Sequence, residues 1–107
     1  MAFDISAVLQ SMEGAVQSTV TTAWPQAQAI WLTFEQTNKN ILADMAMATI
    51  SGGMTTDQLK SYLDDMKTTL QAQLLATEVM ALAVAQAAAN AALDIFWIAV
   101  NAALTII

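Results

Sequence analysis

Cysteine, histidine and arginine are absent from this sequence, proline occurs once and glycine three times. No disulfide or thiol nucleophile can form, no imidazole base is available, and the His/Cys ligand sets of structural zinc are excluded. The only cationic side chains, Lys39, Lys60 and Lys67, stand against nine acidic ones, for a net charge of −6. Affinity for nucleic acid comes from clustered Lys and Arg displacing counterions from phosphates, so no nucleic-acid partner is expected. The same acidity opposes attraction to anionic lipid. The opening MAFDISAVLQ has no basic n-region and carries Asp4. No secretory signal peptide is expected, and a cytoplasmic or particle-assembled location is favoured.

What remains is apolar and helix-forming. Hydrophobic residues make up 57% of the chain and charged ones 11%, with alanine, leucine, isoleucine and methionine dominant. This composition predicts one all-α domain over residues 1–107. The clearest boundary is Ser51-Gly52-Gly53, where glycine supplies the left-handed conformation that closes a helix. A start signal follows at once. Thr55 caps, Gln58 completes a capping box, Met54 staples onto Leu59, and Asp57 suits the helix dipole.

From Leu59 onward an apolar stripe runs through Leu63, Met66, Leu70, Leu74, Thr77, Ala81, Ala85, Ala88, Ala92, Ile95, Ala99, Ala102 and Ile106, always in steps of three or four. That spacing predicts an unbroken second arm over 56–107, about 78 Å long at about 1.5 Å per residue. The first arm, 4–50, carries a matching stripe that includes Ile5, Leu9, Met12, Phe34 and Met45. Pro25 breaks or kinks it near 22–25, with Thr21-Thr22 as a fresh cap. Two arms of similar length joined by a turn at 51–55 predict a long antiparallel helical hairpin, packed into a helical oligomer. The alternative is a three-helix bundle with breaks at Pro25 and the double glycine.

The stretch Val79–Ile107 holds a single charge, Asp94. It is long enough to span a bilayer. However, Asp94 costs about 2.5–3.5 kcal/mol at a helix centre, and Asn90 and Asn101 add to that. The apolar gain does no more than cancel this. On a helical wheel Gln86, Asn90, Asp94 and Asn101 form a polar stripe in one sector of roughly 100°. The rest of the circumference is apolar, and one partner helix covers only part of it. The small-residue seam Ala81, Ala85, Ala88, Ala92, Ile95, Ala99, Ala102 and Ile106 is therefore expected to be an oligomer interface between copies of the chain.

Other candidate sites read as structural. Asp64 and Asp65 with Asp57 or Glu78 resemble paired carboxylates, but Lys60 and Lys67 flank Asp64 at helical spacing, the pattern of a solvated face. Met45, Met47, Met54, Met66 and Met80 suit core filling, and Trp24, Trp31, Phe34, Phe96 and Trp97 suit anchors in helix packing. No catalytic residue, cofactor, metal or small-molecule substrate is expected.

The hairpin length resembles the small helical-hairpin secreted effectors, whose W-x-G turn is replaced here by Ser51-Gly52-Gly53. Alanine-rich helical subunits of this size also occur in bacterial polymers and phage virions. The expected function is a non-enzymatic structural subunit that self-assembles into a ring, tube or filament. The alternative is a membrane-inserting helical oligomer, with Asn90, Asp94 and Asn101 lining a polar lumen.

Overall fold

A computed structural model describes residues 3–106, with side-chain surroundings through Thr105. The described residues form four α-helices and one short 3-10 turn. Helix α1 is Ile5–Val20, the 3-10 turn is Thr21–Ala23, α2 is Trp24–Ser51, α3 is Thr56–Leu75 and α4 is Leu82–Ile106. The fold is all-α, as composition and periodicity predict.

Local chemistry marks most of the helix boundaries. Asp4 caps α1, its carboxylate accepting from the backbone N–H groups of Ser6 at 3.0 Å and Ala7 at 3.3 Å. The first connection centres on Thr21, with φ 51°, and delivers Pro25 into the first turn of α2, where its missing N–H is harmless. The break expected near 22–25 is present, but the Thr21-Thr22 cap is not. The residue before α2 is Ala23, and no side chain caps that helix.

The second connection matches its sequence signals closely. Gly52 closes α2 at φ 91°, and the N–H groups of Gly53 and Met54 both reach the Ala48 carbonyl, at 2.8 and 3.1 Å. The capping box then forms in both directions: Gln58 N–H donates to Thr55 Oγ1 at 3.1 Å, and Thr55 N–H to Gln58 Oε1 at 3.0 Å.

The third connection departs from expectation. The second arm is not one helix. It stops at Leu75 and restarts at Leu82, with Glu78 at φ 61° between them. No glycine or proline lies in Ala76–Ala81. A left-handed non-glycine residue costs about 1–2 kcal/mol. Burial offsets this, because the reversal lays α4 back on the bundle and fully buries Leu93, Phe96 and Val100, worth about 5–9 kcal/mol as an upper estimate. Packing therefore favours this break, and Thr77 supports it locally, its Oγ1 donating to the Leu74 carbonyl at 2.6 Å and accepting from the Val79 N–H at 3.5 Å.

The outcome is a bundle 42 Å in its longest dimension, well short of the roughly 78 Å that an unbroken second arm would need. Helix α4 packs most extensively against α1 and next against α3. Leu9, Met12 and Val16 of α1, Trp31, Phe34 and Leu42 of α2, and Leu59, Leu70 and Leu74 of α3 meet it in one core. Phe96 sits edge-on to Phe3 with ring centres 5.8 Å apart, and Trp31 stacks on Phe34 at 5.5 Å. Trp31 Nε1 is buried without a hydrogen-bond partner among the described residues.

Candidate functional site

Helix α4 has three environments around its circumference. The inward face is the alanine seam. Ala85, Ala88 and Ala92 are fully buried, together with Ala89. Side chains of one carbon let α4 lie close to its neighbours at these positions. The partner of the seam needs correction. These three residues pack inside their own chain, because α4 turns back at 76–81 instead of continuing straight. They are no free surface for a second copy in this fold. Of the remaining seam residues, Ile95 and Ala99 are half-buried and Ala81 and Ala102 exposed; the Ile106 side chain lies outside the described residues.

The second environment faces α1. Ala7, Val8 and Ser11 of α1 and Ile95, Ile98 and Ala99 of α4 line an apolar groove of about 290 Å³. It continues toward the start of α1, where Phe3, Ala102 and Ala103 extend it by a hollow of about 280 Å³. Small residues on both helices create the hollow, and Ile98 rises beside it with 63% of its surface exposed. Its lining has almost no polar surface besides Ser11 and Asp4, so it has no means of orienting a polar substrate.

The third environment is the polar stripe, where α4 meets α3. Lys67 Nζ donates to Asp94 Oδ1 at 2.8 Å and lies 3.9 Å from Asp64 Oδ1. With Lys60, Leu63, Leu93 and Trp97 these groups line a cleft of about 210 Å³. Asp94 is thus paired with a cation in this fold. Asn101 is committed locally, its Nδ2 donating to the Trp97 carbonyl at 2.8 Å. Asn90 is half-buried and Gln86 exposed on the same side. Among the described residues, no three carboxylates converge on a position that could hold a metal ion.

The Lys67–Asp94 pair was not legible as a contact, since on a straight helix the two residues would lie about 40 Å apart. The pair is largely solvated, with 53% of the Asp94 side chain exposed, so its value is small. Asp94→Asn is expected to change the unfolding free energy by less than about 1 kcal/mol in a urea titration. A loss above about 2 kcal/mol would instead place the carboxylate in a dry environment.

Segment Leu82–Thr105 of α4, 24 residues at a mean hydropathy of 1.5, is long and apolar enough to cross a membrane, and 39% of its most apolar stretch is buried in the bundle. No protein-family model matches the chain, and neither a characterised protein nor a solved structure shows significant similarity to it.

Proposed function

We propose that this protein is a non-catalytic structural subunit that associates with other copies of itself into a ring, tube or filament. The observation that carries this reading is the apolar groove between α1 and α4, with Ile98 standing exposed beside it. An uncharged hollow next to a protruding β-branched side chain is self-complementary in kind, and an isologous contact needs only such a patch. The one charged residue of α4, Asp94, lies on the side toward α3, so α4 brings no charge to the place where two copies would meet.

A second reading has its own observation. Helix α4 has the length and hydropathy of a membrane span, which supports a membrane-inserting oligomer with Asn90, Asp94 and Asn101 toward a lumen. Insertion would first have to break the Lys67–Asp94 pair and strip Phe96 and Val100 from the core, so self-association in water is the stronger reading.

Sedimentation velocity with and without neutral lipid vesicles separates the two. Species larger than the 11.4 kDa chain at micromolar concentration, with no protein on the vesicles, are the expected result. A stable monomer without lipid that floats with vesicles and releases their contents would favour the membrane reading.

A further inference from the structure

The cleft between α3 and α4 takes no part in the self-association proposed above. It exists because the chain reverses between Leu75 and Leu82 and lays α4 beside α3. Its volume is about 210 Å³. A cavity of about 150 Å³ is enough to hold benzene, so this one has room for a single ring with a small polar group. The buried Leu63 and Leu93 line it beside the half-buried Trp97. A flat apolar body finds matching contact there, with an indole to pack against.

The charged groups of the cleft are not equally committed. Lys67 Nζ serves two carboxylates at once, Asp94 Oδ1 at 2.8 Å and Asp64 Oδ1 at 3.9 Å. Lys60, one turn before Asp64 on α3, lines the same cleft and makes no ion pair among the described residues. Its ammonium is therefore the charged group left over for a ligand. The chain has three lysines and no arginine, and two of the three stand at this cleft, while Lys39 lies on α2. No other place on the chain gathers two cationic side chains.

We infer that the α3–α4 cleft binds a small amphiphilic monoanion, an aromatic carboxylate of about one ring. The carboxylate accepts from Lys60 Nζ, and the ring lies against Leu63, Leu93 and Trp97. Two lysines and two aspartates leave the cleft itself neutral. A single negative charge is accommodated there, whereas a polyphosphate meets the repulsion of a molecule of net charge −6. The site goes beyond the self-association reading and does not depend on it. Its lining shares no residue with the α1–α4 groove and does not include Ile98.

Benzoate is the probe, followed by saturation-transfer NMR on the ligand, which reads monomer and assembly alike. A saturable signal with a Kd of about 1 mM is expected, in keeping with so small a ligand. Benzylammonium carries a similar ring with the opposite charge, and acetate the same charge without the ring. Both should bind at least about tenfold more weakly. Lys60→Met keeps the apolar stem, loses the charge and should raise the benzoate Kd about tenfold. Lys39→Met makes the same change in net charge on α2 and should leave the Kd where it was. Asp94→Asn frees Lys67 from its partner and removes a negative charge, so it should tighten binding about fivefold. A variant that merely misfolds would show no such gain, and circular dichroism checks that each keeps its helix content. The absence of a saturable benzoate signal would overturn the assignment. So would Lys60→Met and Lys39→Met acting alike, Asp94→Asn failing to tighten binding, or benzylammonium or acetate binding within about tenfold of benzoate.

Discussion

Phe96→Ala is expected to lower the unfolding free energy by about 3–5 kcal/mol and the melting temperature by roughly 15–30 °C. Phe96 is fully buried, and its ring meets Phe3 edge-on at 5.8 Å. It projects from α4 into the core shared with α1 and α3, so truncation removes the transfer free energy of an aromatic ring and leaves a void that rigid helices cannot fully close. The loss is large beside the 5–15 kcal/mol typical of whole domains. It also falls on the helix whose fold-back carries the cost of a left-handed Glu78. The variant should therefore release α4 before the rest of the bundle, giving a urea transition that is shallower as well as earlier. A loss below about 1 kcal/mol, followed by far-UV circular dichroism, would mean that α4 does not rest on the bundle in solution.

How far the fold could be read from the sequence depended on which residues carried local instructions. The Ser51-Gly52-Gly53 stop and the Thr55–Gln58 capping box are short-range devices, and both form as read. Pro25 likewise marks its own boundary. At the reversal over Ala76–Ala81 the local device is Thr77, whose Oγ1 donates to the Leu74 carbonyl at 2.6 Å and accepts from the Val79 N–H at 3.5 Å, but Leu74-Leu75-Ala76-Thr77 and Met80-Ala81-Leu82 also continue the helical stripe, so the threonine does not announce a turn. Periodicity reports which residues share a face, not where the chain turns, and here burial of α4 overrides local preference. The same limit explains the candidate site. Ala85, Ala88 and Ala92 were legible as a close-packed seam from side-chain size and spacing. Their partner was not, since a helix of another copy and a helix of the same chain make the same demand on an alanine stripe. Lys67 and Asp94 met only because the chain reversed between them.

The alanine seam supplies the second large effect. Ala88 and Ala92 are fully buried and one turn apart on the inward face of α4. Each holds the place of a single methyl group, and a leucine there needs three more carbons in a space already filled from α1 and α3. Overpacking of this kind costs about 1–3 kcal/mol per site, because neighbouring side chains are driven off their rotamers or the helix is pushed outward. Ala88→Leu and Ala92→Leu together are expected to cost about 2–6 kcal/mol. The two costs should not add fully, since one outward shift of α4 accommodates both leucines. Ala87→Leu is the control: that residue is exposed on the same helix and outside the α1–α4 groove, and its change should stay within about 0.5 kcal/mol. The concentration dependence decides where the seam packs. If α4 rests on its own chain, the loss persists, undiminished, in dilute samples where sedimentation finds only the monomer. If the seam served only to join copies, the cost would vanish in those samples and reappear as a melting temperature that rises with concentration less steeply than in the parent protein. The buried positions of Ala85, Ala88 and Ala92 favour the first outcome, and equal stability of parent and double variant in dilute solution would refute it.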